Sequence, residues 1–310
     1  MKSFQSSPNL YQSNNSPYLK LIREESAIFY KASLLIPAEK QSIAWALYVF
    51  WRELMPFEYW NALEGQVNFI RKWKTALFFE KTYQQDLSMS LNAWLDLQNH
   101  FDQNAKKLVL KVLNGLEICQ SSIHFSSMEE LAFFLEYLGG SVSLASFYIL
   151  FANSSVAEEE EIIFDTHILS SINYLGMGIL WWELLKENTL TITQSKLFIP
   201  LSDLRRFDYR EEDFLNNGLE NPNSKELTKF ELTKIIKYFG LSLSLIQKNT
   251  NTNLKVIKEI ISFLSNYYIN EINAALSSGW TLESKSIPNQ SNQSNNWIIN
   301  GFTKWVKGLN

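Results

Sequence analysis

From Tyr18 onward apolar side chains return every three or four residues, and little interrupts them: 310 positions hold 11 glycines and 7 prolines. Spacing of this kind lays a continuous apolar stripe along a helix, whereas sheets of similar size need turn residues every few positions. The chain is therefore expected to be all-α. Leu21, Ile28 and Leu35 mark a first helix that Pro37 ends. Ile43, Leu47, Phe50 and Trp51 mark a second, which Pro56 interrupts. Further helices are expected over 64–79, 85–99, 103–119, 127–151, 168–187, 226–247 and 253–278, with a short one near Glu211. The stretch from Leu138 to Val156 carries no charge, but its glycines, serines and asparagine fit a buried helix better than a membrane span.

Composition removes several function classes. With 46% hydrophobic residues the chain can bury a sizeable core. Its formal charge of −4 offers no basic footprint for nucleic acid, and its aromatic residues sit among apolar neighbours rather than lysines and arginines. Cys119 is the sole cysteine, so the chain makes no internal disulfide or cysteine zinc site and suits a reducing, cytoplasmic compartment. His100, His124 and His167 lack metal-ligand spacing, and the acidic run from Glu158 to Glu161 reads as a solvated connection. The expected organisation is a disordered lead-in over 1–17, a helical domain over 18–284, a polar linker over 285–296 and an amphipathic tail over 297–310. Within that tail, Trp297 to Leu309, the residues Ile298, Phe302, Trp305 and Leu309 share a face beside Lys304 and Lys307. Such a tail either lies in a membrane interface or packs back on its own domain.

Four stretches, in order, resemble the squalene/phytoene synthase family. The first runs through Ile28-Phe29-Tyr30, Leu35-Ile36-Pro37 and Ala46 to Arg52. The second is Asn114-Gly115-Leu116 followed by Glu129-Glu130-Leu131, and the third is Gly139-Gly140-Ser141-Val142. The fourth is Leu175-Gly176 followed by Lys196 to Leu201 and Asp203-Leu204, which keeps the family spacing from Leu175 to Pro200 without a gap. The resemblance covers about residues 20–278. It implies a single-domain, isoprenoid-synthase-like bundle around a central apolar cavity, with magnesium held at the mouth by two aspartate-rich motifs. On the same resemblance Tyr48, Phe50, Phe134, Tyr137, Gly140 and Trp182 are the expected chain-binding positions.

The chemistry tests the resemblance position by position. Ionising a prenyl diphosphate leaves a highly charged diphosphate, which hard magnesium neutralises through carboxylate oxygens. Two carboxylates one helical turn apart present themselves on one face. Here the resemblance maps the first motif's aspartates onto Met55 and Tyr59, another onto Cys119, and the second motif's onto Glu187 and Thr191. One acidic position of the five survives, as glutamate.

Two readings follow. In the first, the chain has lost the family's condensation and binds an isoprenoid or other lipid chain, or serves as a protein-partner or assembly subunit, as non-catalytic relatives in the family do. In the second, it is an active prenyltransferase or terpene-forming enzyme with a rebuilt site. Glu183 and Glu187, spaced i, i+4, would then share one magnesium ion, while Arg52 and Lys186 meet the diphosphate. Against the second stands the plainer possibility that Glu183, Lys186 and Glu187 form a polar stripe at a helix end.

Overall fold

The computed structural model describes residues 16–55, 70–71, 73–75, 89–118, 123–152, 164–188, 196–210 and 223–281. Among them the secondary structure is helical apart from one two-residue strand pair. The helices fall into two compact units.

The first unit holds α1 (Pro17–Glu25), α2 (Ala27–Ser33), α3 (Ala38–Leu54) and α4 (Met89–Leu97). The single first helix expected from the sequence is two helices. Ser26 breaks it: its backbone is extended (φ −145°, ψ 90°), and its hydroxyl accepts the Phe29 N–H as the cap of α2. The expected lead-in also ends earlier, because Ser16 is buried and Pro17 already opens α1, where a missing N–H costs nothing. α3 ends at Leu54, and Met55 leaves helical geometry immediately before Pro56, as a residue preceding proline tends to do. Polar anchors align these helices: the Tyr18 hydroxyl donates to Asp96 Oδ2 at 2.8 Å, and Trp45 Nε1 donates to Ser33 Oγ at 3.0 Å.

The second unit holds α5 (Gln103–Ile118), β1 (Ile123–His124), α6 (Met128–Leu135), α7 (Ser141–Phe147), α8 (Thr166–Asn188), β2 (Lys196–Leu197), α9 (Leu201–Arg206), α10 (Ser224–Lys248) and α11 (Lys255–Ser277). α6 and α7 are one long helix widened by a π turn over Glu136–Gly140, and a second π turn, Tyr148–Ala152, follows α7. The expected short helix near Glu211 lies outside the described residues; the short helix observed is α9, which starts directly after Pro200.

α8 is the spine of this unit. Ile168, Ile172, Trp181, Trp182, Leu184 and Leu185 are all wholly buried, so the helix is apolar nearly all round and shows little of the one-sided pattern of a surface helix. By length and composition Met128–Phe151 and Thr166–Lys186 could each cross a membrane. Nearly three quarters (72%) of the most apolar window in the second is nevertheless buried against protein, as a core helix would be. α10 lies along α8, fastened where the hydroxyls of Ser171 and Ser242 each donate to the other's carbonyl at 2.8 Å. α11 closes over α10, with Phe239 and Tyr268 stacked at 5.5 Å. β1 and β2 pair in parallel, and the Leu201 N–H donates to Phe125 O, which fixes the loop leading into α9.

The close approach of α8 to the π turn depends on two glycines. A Cβ on Gly139 would sit 2.5 Å from the Gly176 carbonyl oxygen, and one on Gly176 would strike the Gly139 carbonyl. Backbone cannot swing aside as a flexible side chain can. Gly176→Ala is therefore expected to destabilise the protein by about 1–3 kcal/mol or more in urea unfolding. Gly240→Ala is the control: it is mid-helix in α10 with nothing within 4 Å of the added carbon, and should gain about 0.5–1 kcal/mol.

Candidate functional site

The site residues expected from the sequence separate into two groups. In the first unit, Arg52 projects from the last turn of α3 and is held by Glu25 at the end of α1. Nε lies 2.6 Å from Glu25 Oε2, and NH2 donates to Oε1 at 2.8 Å. This two-point contact is the geometry a guanidinium would also offer a diphosphate. Tyr48 donates to the same carboxylate at 3.4 Å; burial pushes its hydroxyl well above the ordinary range, and the Glu25 charge pushes it further. Phe50 is wholly buried against Trp51 and Trp94. Met55 is 4% exposed. A buried thioether carries neither charge nor hard oxygen, so this position offers magnesium nothing.

In the second unit the C-terminal turn of α8 carries Trp182, Glu183, Lys186 and Glu187. The side chain of Glu187 lies outside the described residues, as do Tyr59, Cys119, Thr191, the linker over 285–296 and the tail from Trp297 to Leu309. Glu183 and Lys186 are not a surface stripe. Glu183 is 3% exposed and Lys186 8%. Lys186 Nζ donates to Glu183 Oε1 at 2.8 Å and to Glu271 Oε1, on α11, at 3.4 Å. The same ammonium lies 5.2 Å from the centre of the Trp182 ring, which meets Trp280 edge-on at 5.5 Å.

The electrostatics follow from burial. Burial raises the Glu183 carboxyl, Lys186 pulls it down, and the nearby Glu271 raises it again; the net direction is up. For Lys186 burial acts against the charge, but the two carboxylates outweigh it and hold the ammonium protonated more firmly than usual. Glu183 Oε2 and the indole N–H groups of Trp182 and Trp280 are buried without a hydrogen-bond partner.

The remaining expected positions sit elsewhere in this unit. Phe134 packs between Phe125 and Phe198 at ring distances of 5.2 and 5.9 Å. Tyr137 stands beside the exposed Phe133 with Lys111 over its ring. Gly140 lies in the π turn, where an added Cβ would collide with the Asn173 side chain. Trp181 faces a second buried cluster, which the sequence did not reveal. There Lys234 bonds Asp203 and, at 3.0 Å, Glu231, with its ammonium 4.2 Å from the Phe230 ring centre and 5.9 Å from that of Trp181. Glu25, Glu271, Glu231 and Asp203 are the residues that sequence reasoning missed. Glu25, Glu231 and Glu271 are each the only charged residue on a buried helix face otherwise lined with apolar or hydroxyl side chains, and that anomaly is the signal that could have found them.

Among the described residues no three His, Cys, Asp or Glu side chains stand together as a metal site. The described positions thus do not fit a magnesium cluster: Met55 is apolar and Glu183 already faces an ammonium.

A profile of the squalene/phytoene synthase family matches residues 22–275. The chain belongs to this family. A 15-cis-phytoene synthase from Synechocystis sp. is 24% identical over 228 residues, which are 68% of this chain and 62% of that protein. The match thus spans less than two thirds of that curated relative's length. Two solved structures share the fold. A dehydrosqualene synthase in complex with ligand superposes with a TM-score of 0.64 at 14% identity, covering 94% of this chain and 95% of its own. Squalene synthase HpnC from Alicyclobacillus acidocaldarius gives 0.59 at 12% identity, covering 84% and 92%.

The second buried cluster makes a pH-dependent prediction. Burial pushes the Glu231 carboxyl up from 4.5 to about 7, with Lys234 opposing and Asp203 adding to the rise. A carboxyl raised in the folded state stabilises the fold fully below pH 4.5, and that contribution is lost as pH climbs to 7. Glu231→Gln removes the titration. Its stability relative to the parent should therefore rise between pH 4.5 and 7.5, by on the order of 3 kcal/mol, in urea unfolding at a series of pH values.

Proposed function

We propose that this family member has left magnesium-dependent head-to-head condensation of prenyl diphosphates. It keeps the fold to hold an isoprenoid or other lipid chain, or to serve as a partner subunit. The observation that carries this reading is the engagement of Lys186. Its ammonium sits between Glu183 and Glu271, both buried with it.

A diphosphate arriving there would have to displace one or both carboxylates. Each carboxylate so released would remain in the interior without its counter-charge, at a cost of about 3–5 kcal/mol. Arg52 is committed in the same manner to Glu25. The two cations that a rebuilt diphosphate site would rely on therefore already have anions, and Met55 supplies no replacement for a metal-binding aspartate. Family membership supports an apolar chain as the ligand class, since a prenyl chain needs only an apolar surface and survives the loss of the metal-binding carboxylates.

The test is diphosphate release. Purified protein is incubated with geranyl, farnesyl and geranylgeranyl diphosphates, with and without magnesium, beside an active family synthase. The expected result is no magnesium-dependent release above buffer, with a prenyl or other lipid chain or a protein partner recovered on purification. Magnesium-dependent release that vanishes in Glu187→Ala would overturn the reading. It would establish instead a prenyltransferase or terpene-forming enzyme that uses Glu183, Glu187, Arg52 and Lys186.

A further inference from the structure

We propose that the exposed side of α10 is a docking surface for anionic lipid headgroups, on which the helix lies parallel to a bilayer. The inference goes beyond the functional reading above. It concerns the surface on which the protein meets a membrane, and it holds whether or not a diphosphate is ionised.

The residues of α10 separate into two sides. Leu227, Ile235 and Phe239 turn inward with their neighbours. Lys225, Lys229, Lys237 and Lys248 turn outward, with Thr233, Gly240 and Ser244 between them at helical spacing, and all seven are exposed. The line from Lys225 to Lys248 is about 35 Å long. Among the described residues only Lys234, at the edge, is a paired lysine of this helix, held by Asp203 and Glu231. One carboxylate, Glu226, is exposed beside the four outward lysines on α10. The exposed Arg206 of α9 extends the basic side: its guanidinium rests 4.5 Å from the centre of the Phe230 ring, which fixes it against α10. Five cations therefore face water together on a chain whose formal charge is −4. Such asymmetry turns a molecule toward an anionic surface before contact. α11, packed on α10, instead exposes the uncharged Asn266, Asn270, Asn273 and Ser277.

Composition favours a bilayer over an acidic protein. Protein interfaces gather around aromatic or arginine anchors and are poor in lysine. Here lysine dominates, the centre line is Thr233, Gly240 and Ser244, and Leu241, 37% exposed, is the large apolar side chain on offer. A lysine beside anionic headgroups needs no dedicated partner. Each strengthens partition by about fivefold, and salt screens the effect.

The experiment measures sedimentation of the full chain with vesicles of phosphatidylcholine, alone or with about 30% phosphatidylglycerol, in about 0.1 M and about 0.5 M sodium chloride. Lys229→Gln, Lys237→Gln and Lys248→Gln are combined in one variant. Lys20→Gln, Lys31→Gln and Lys107→Gln, exposed lysines on other helices, form a control with the same change of charge. All six positions are exposed, so both variants should fold as the parent does, which circular dichroism checks. The parent is expected to bind the anionic vesicles at low salt and to release them at high salt. The α10 variant should lose about 100-fold in partition, and the control should lose far less.

Equal losses in the two variants would overturn the proposal, because net charge rather than this face would then govern binding. An α10 variant that binds as the parent does would also overturn it, whatever the segment from Trp297 to Leu309 contributes. Capture of the parent by polyglutamate without vesicle binding would assign the face to an acidic protein instead. Diphosphate release bears only on the functional reading, and vesicle partition only on this one, so either can fail alone.

Discussion

A carboxylate taken out of water must meet a cation, and in this chain that requirement fixes how the helices lie against one another. Hydrophobic contact is non-directional and tolerates sliding. A lysine that must reach two carboxylates does not. Lys186 ties α8 to α11 through Glu183 and Glu271, Lys234 ties α10 to α9 through Glu231 and Asp203, and Arg52 ties α3 to α1 through Glu25. The two lysine clusters share one construction. Each pairs a Glu and a Lys three residues apart on one helix, adds an acid from another, and sets the ammonium beside a tryptophan. Trp181 and Trp182, adjacent in sequence, serve one cluster each.

The long helices were legible because they obey local rules. α3, α5, α8, α10 and α11 begin and end within about two residues of the positions that apolar period and proline placement indicate. The departures have non-local or subtle causes. Ser26 interrupts a continuous apolar period, and only its role as a cap reveals the break. The π turns at Glu136–Gly140 and Tyr148–Ala152 leave the pattern looking α-helical. The Gly139–Gly176 contact brings together residues from two helices, which no single-helix reading can pair.

The site was half legible for a related reason. Spacing from Leu175 to Pro200 singled out Glu183, Lys186 and Glu187 as expected site positions, because a gapless block carries register. It could not say that Glu183 and Lys186 point inward, since a Glu-x-x-Lys pair near a helix end is the ordinary signature of a solvated surface. The missing clue lay about 85 residues away. In α11 the buried face reads Ile257, Ile260, Ile261, Leu264, Ser265, Tyr268, Glu271, Ile272 and Ala275. A glutamate in such a stripe demands a buried cation, and Lys186 is the cation it has. Glu25, in the stripe of Tyr18, Leu19 and Ile22, makes the same demand of Arg52.

An interior ion pair and a metal-dependent ionising site ask opposite things of one helix end. The pair gains from dryness, because low polarity strengthens the attraction and excludes competing ions. An ionising site must keep its carboxylates open to ions that enter with each substrate, and must keep its cations free for the departing diphosphate. Lys186, gripped by two buried carboxylates and held firmly protonated, meets the first demand and works against the second. Met55, buried and apolar, places no charge in the interior of its own unit, where a carboxylate would need a partner. The apolar methionine and the internal salt bridges are thus two solutions to one problem. On the function proposed above, such an interior suits packing an apolar chain rather than ionising it.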